Sequence, residues 1–154
     1  MPWKYVTLAL LLLVLCASQA KAQELTCDQL SLTLPEGWEV VGEPMRSGDI
    51  CSFTVGKSDR SVLVATTLGP AKGRDAKAVA QEMAHRLSIP TEPVERGGQY
   101  VFAVEINGQP GSCTTAVQDD ICNFTCVLGK KPEDAEAVLE GFHSKSHPGL
   151  LPRF

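Results

Sequence analysis

Two cysteines stand four residues apart, Cys122 and Cys126, inside a segment that reads ICNFTCVL over residues 121–128. Its β-branched and aromatic content favours extended chain. In a strand, residues four apart are separated by about 13 Å, whereas bridged Cα atoms lie within roughly 7 Å. The two thiols therefore point to one face and cannot reach each other. They are also too far apart to share a zinc ion with ligands at about 2.3 Å, so a centre recruiting His143 and His147 to them is not expected. Their partners have to come from other strands. If Asp119 and Asp120 form a two-residue hairpin turn, Val117 faces Cys122 and Cys113 faces Cys126. A Cys113–Cys126 bridge closes a loop of about 14 residues, worth on the order of 3 kcal/mol through chain entropy. By elimination Cys27 then pairs with Cys51, and Cys122 is left as a buried free thiol. A slipped register would join Cys113 to Cys122 instead, and that alternative stays open.

Disulfides presuppose an oxidising compartment. The N-terminus supplies a route to one: Lys4 gives positive charge, Val6 to Leu15 form an apolar run, and Ala20-Lys21-Ala22 offers a small-x-small cleavage site before Gln23. The run is short of the roughly 20 residues that a membrane-spanning helix takes, and no later stretch approaches that length. Residues 1–22 are therefore expected as a signal peptide, and the mature chain as an exported protein with no membrane span, periplasmic in the first reading and extracellular as the alternative. Cys16 ends the apolar run, but Leu15 stands where a bacterial lipobox takes a small residue, which argues against a lipid anchor. Cleavage removes Lys4 and Lys21 and no acid, so the formal charge of −4 becomes −6. An evenly spread negative charge argues against nucleic acid or an anionic membrane as partner.

Apolar periodicity organises the rest. Leu30, Leu32 and Leu34 alternate with polar residues; Cys51, Phe53 and Val55 share one face; and SVLVATTL, residues 61–68, reads as a central strand covered on both sides. The period then changes. Ala76, Val79, Ala80, Met83 and Leu87 mark one helix face, with Asp75 as N-cap. Alternation returns at Tyr100, Phe102, Val104 and Ile106, ends at the hairpin cue Asn107-Gly108, and resumes over residues 113–117 and 121–128. Pro132 opens a last helix with a stripe of Ala135, Val138, Leu139 and Phe142. The expected order is βββ-α-βββ-α: an α+β domain over residues 23–144, with an antiparallel sheet of about six strands flanked by helices. Residues 145–154 are expected as a loosely held tail.

No constellation for catalysis emerges. A redox pair takes two cysteines separated by two residues at a helix start, and a thiol nucleophile takes a neighbouring histidine. His85 falls on the polar side of the first helix, His143 ends the second, and His147 lies in the tail. Asp119 and Asp120 are better explained by turn chemistry than by a cation. Asn123-Phe124-Thr125 matches a glycosylation sequon, but mid-strand acceptors are uncommon, and in a bacterial source the match would be accidental. No cofactor and no metal site are expected.

The strand closed by Pro35-Glu-Gly-Trp38 in LSLTLPEGWEV, then YVFAVEINGQPG and AEAVLEGFHS, resembles the PsbP-like superfamily, in particular its small exported bacterial members of DcrB type. The likeness covers roughly Leu30 to Ser144. It implies a scaffold that binds other proteins and performs no chemistry; the cysteine set departs from the pattern. The functional expectation is therefore a non-enzymatic, disulfide-stabilised domain that binds a protein partner in the cell envelope. A carrier of a small apolar ligand between sheet and helix is the alternative, followed by a thiol-dependent enzyme.

Overall fold

A computed structural model describes residues 22–154. The expected signal peptide, including Cys16, lies outside the described residues except for Ala22. In chain order the strands are β1 (Glu24–Cys27), β2 (Leu30–Thr33), β3 (Trp38–Val40), β4 (Met45–Ser47), β5 (Ile50–Lys57), β6 (Val62–Pro70), β7 (Val94–Arg96), β8 (Gln99–Ile106), β9 (Gln109–Gln118), β10 (Ile121–Gly129) and β11 (Phe142–His143). Helix α1 (Ala76–Arg86) lies between β6 and β7. A 3-10 turn (Pro132–Ala135) runs into the five-residue helix α2 (Glu136–Glu140), and a second 3-10 turn covers Pro148–Leu150.

The fold is predominantly β, which corrects the expected βββ-α-βββ-α class. An eight-stranded antiparallel sheet follows the order β3-β5-β6-β10-β9-β8-β7, with β4 also pairing β5; a separate three-stranded sheet has the order β1-β2-β11. Three differences account for the correction. Strands of two or three residues (β3, β4, β7 and β11) are too short to show a period. The strand carrying Leu30 and Leu32 leaves the main sheet for the smaller one, because β1 folds back on it and β11 pairs its other edge. The expected last helix shrinks to α2, as Phe142 turns into β11 and packs its ring 6.3 Å from that of Phe53.

Period-two alternation gives the large sheet two different faces. One face carries Cys51, Phe53, Val55, Val62, Val64, Leu68 and Val127, and packs on Leu30 and Leu32 of the small sheet together with Val138 and Phe142. The other face carries Phe102, Val104, Cys113 and Cys126, on which α1 sets Ala80 and Ala84. Helix α1 is short on large apolar residues, so alanines bring it close to the sheet. Its N-cap is Asp75, whose Oδ1 accepts from the Ala78 N–H at 2.8 Å. The helix lies over β8 and β9. Ser52, Thr54, Leu63, Ala65 and Thr67, on the same sheet face but in β5 and β6, stay half-buried.

The C-terminal ten residues are not a loose tail. Leu150 is fully buried in the core between the sheets. The Asn123 side-chain amide donates to Leu150 O at 2.8 Å, and that of Gln99 donates to Leu151 O at 2.7 Å. The Gln99 carbonyl in turn accepts from the Arg153 N–H, and the Gln118 carbonyl from the Gly149 N–H. Asn123 and Gln99 look like surface residues in the sequence. In the fold they are 1% and 3% exposed and clamp the backbone of residues 149–153.

Candidate functional site

The turn at Asp119-Asp120 decides where the sulfur atoms go. Both residues have positive φ, 50° and 61°, the two-residue turn that matches the strand twist. Asp120 is held there because its Oδ1 accepts from the Gly73 N–H. The turn sets Gln118 opposite Ile121, so Val117 faces Cys122 and Cys113 faces Cys126. Counting back from the turn, position 113 is a non-hydrogen-bonded pair, the closer of the two kinds of cross-strand pair. The Cα atoms of Cys113 and Cys126 are 4.0 Å apart and joined by a disulfide beneath α1. On the opposite face a second disulfide joins Cys27 at the end of β1 to Cys51 in β5, with Cα atoms 5.7 Å apart. One bridge closes a hairpin. The other ties the small sheet to the large one.

Among the described residues, Cys122 is the free thiol. It is half-buried and not fully buried as expected, because β10 runs out from under α1 at this end. Its Sγ lies 4.0 Å from Pro70 O. Burial pushes the thiol pKa above its ordinary value, and the nearby Arg74 cation offsets only part of that. A thiol held in its neutral form is a poor nucleophile and a poor metal ligand.

The histidines stand apart from this thiol. His143 bridges Gly141 O and Glu24 at 3.1 Å each, next to the small sheet. His147 Nε2 lies 3.3 Å from Asp119 Oδ2, pinning the C-terminal segment to the β9–β10 turn. His85 is exposed on α1. Among the described residues no three His, Cys, Asp or Glu side chains come together to hold a metal ion. Asn123 of the sequon is inside the core. Thr115, facing α1, keeps its Oγ1 buried without a hydrogen-bond partner.

Among the described residues, two open surfaces bear on binding. The first is the outer edge of β8. The hairpin at Asn107-Gly108 pairs Ile106 with Gln109, so Phe102, Val104 and Ile106 exchange hydrogen bonds with β9 and the backbone groups of Ala103 and Glu105 point outward. Strand β7 pairs β8 only from Gln99 to Val101. Beside this edge Val94 is 60% and Phe154 37% exposed, and they flank a hollow of about 290 Å³ with Val101, Ala103 and Ser112. The second is a groove, also of about 290 Å³, between the flank of α1 and strands β6 and β10, with Cys122 in its wall. Sequence reading misses both, since each depends on where a cover stops.

The fold and its bridges define a disulfide-stabilised β domain with no helix long and apolar enough to cross a membrane among the described residues. No family model and no curated protein matches the sequence. A solved structure from Bacteroides thetaiotaomicron VPI-5482, determined at 1.50 Å, is similar with a TM-score of 0.50 and 11% identity over 82% of this chain. The match takes in 49% of that protein, so this chain corresponds to about half of it, and at this identity the likeness concerns the fold alone.

Proposed function

We propose that the chain is a non-enzymatic, exported domain of the cell envelope that binds a protein partner through the outer edge of β8. The observation that carries this reading is the pairing of outward-pointing backbone groups at Ala103 and Glu105 with the exposed apolar side chains Val94 and Phe154. An edge strand of this kind is a template for strand addition, with main-chain hydrogen bonds supplying affinity and an adjacent hollow, where Val94 and Phe154 stand beside Glu92 and Arg96, supplying selectivity. Two disulfides fit an oxidising compartment, and a thiol held neutral gives no support to nucleophilic chemistry. The periplasm is the compartment that suits the leader-like N-terminus.

Site-specific photo-crosslinking in intact cells tests this. A crosslinker at Val94 is expected to give one defined protein adduct, lost when Ala103 is replaced by Pro, while a crosslinker at Lys145 gives none. Equal adducts at both positions, or none at Val94, would refute the reading.

A further inference from the structure

The groove beside α1 lies on the opposite face of the large sheet from the Val94–Phe154 hollow. Its walls are Val79 and Met83 from α1, Phe124 and Cys122 from β10, and Ile50 and Pro70 at its end. Phe124 is fixed by stacking at 6.1 Å on Phe102, so the floor is apolar and rigid. A neutral thiol adds to that character. The mouth is different. Lys72, Arg74 and Arg86 line it, with Glu82 as the one carboxylate. Arg74 and Arg86 share Glu82 between them, and Arg74 Nε donates to Ala71 O at 2.8 Å, which holds the guanidinium in place. Asp120, just outside the groove, is spent on the Gly73 N–H. Counting both acids against the three bases leaves one positive charge at the entrance of an apolar slot, in a chain whose formal charge is −4.

We propose that this groove binds a medium-chain fatty acid, with the acyl chain along Val79, Met83 and Phe124 and the carboxylate at Lys72 and Arg74 Nη2. Three features select this ligand. The residual charge matches a monoanion. A guanidinium held by a backbone carbonyl is suited to a carboxylate. A volume of about 290 Å³ lies just under the roughly 300 to 1,000 Å³ of small-molecule sites and is sized for a single chain. The proposal does not rest on partner binding at β8.

Cys122 provides the readout. The intact mature chain is titrated with laurate below its micelle concentration, and alkylation of Cys122 by iodoacetamide is timed alongside native mass spectrometry. Laurate is expected to slow alkylation at least tenfold and to give a one-to-one complex. Dodecyltrimethylammonium, with the same tail and the opposite charge, is expected to do neither. Reversing the exposed Lys72 in Lys72→Glu is expected to weaken laurate at least fivefold with an unchanged melting temperature. The inference is overturned by an unchanged alkylation rate with no complex, by equal binding of the two surfactants, or by an unweakened Lys72→Glu variant.

Discussion

Replacing both Cys27 and Cys51 by Ala separates the two sheets' covalent tie from everything else. The bridge spans a sequence separation of 24, so it closes a loop of about 25 residues, and chain entropy assigns it roughly 3.5 kcal/mol. The Cys113–Cys126 bridge spans 13, giving about 3 kcal/mol on the same scale. The two differ more than this arithmetic suggests. The second bridge staples strands already joined by the Asp119-Asp120 turn and a full ladder, whose partial persistence in the unfolded chain lowers what a crosslink can add. The first bridge holds a small sheet whose attachment otherwise rests on side-chain packing and the exposed Arg46–Asp28 ion pair. Burial does not separate the two pairs, since Cys27 and Cys51 are 1% and 5% exposed and Cys113 and Cys126 are 0% and 5% exposed. We expect the Cys27→Ala/Cys51→Ala variant to lose about 3–5 kcal/mol and the Cys113→Ala/Cys126→Ala variant about 2–3 kcal/mol, measured by urea unfolding with matched m-values. An equal or smaller loss at Cys27–Cys51 would refute the argument that the inter-sheet tie matters most.

Leu150→Ala should cost about 2–5 kcal/mol, as expected of a fully buried leucine, and should speed amide exchange over residues 149–153 before elsewhere. An unchanged melting temperature would restore the view of a loose tail. Thr115→Val removes a buried hydroxyl that has no partner and should raise stability by about 1 kcal/mol in the same urea assay. Gly141→Ala should destabilise clearly, because a Cβ there would meet Thr33 O at 2.4 Å and force α2 off the small sheet. For Cys122 the raised folded pKa means that thiolate forms at higher pH in the folded than in the unfolded chain. Its contribution to stability is therefore present below the unfolded thiol range and is lost as pH rises through the folded pKa. Cys122→Ser should flatten the fall in stability above about pH 9.

The register around the cysteines was legible because three local facts agree. A β-rich segment, a turn that accepts positive φ at Asp119 and Asp120, and the odd spacing of Cys113 from that turn leave little freedom. Helix α1 was legible from Asp75 and the alanine and valine spacing. The small sheet was not. Whether Leu30 and Leu32 join the main sheet or face it is decided by β11, more than a hundred residues later in the chain. The C-terminal segment was illegible for another reason. Leu150 carries its weight through amide donors on Asn123 and Gln99, polar residues at core positions that a hydrophobic pattern treats as exposed. Their burial is visible only once β8 and β10 are known to flank β9.

The two open surfaces follow from one mismatch of size. An eight-stranded sheet has more area than an eleven-residue helix and a three-stranded sheet can cover. The disulfides lie where cover is complete, one between the sheets and one under α1, so they stiffen the middle of the molecule. Beyond it the cover stops at β7 on one side and at the flank of α1 on the other. The margin at β8 carries charge at Glu105, Glu92 and Arg96 as well as apolar side chains. Here Val94 and Phe154 remain exposed beside an unpaired stretch of β8, and Met83 and Phe124 remain in a groove with a cationic mouth. With the centre fixed, these margins are preorganised, and under the proposed readings their ordering would cost little when a ligand arrives.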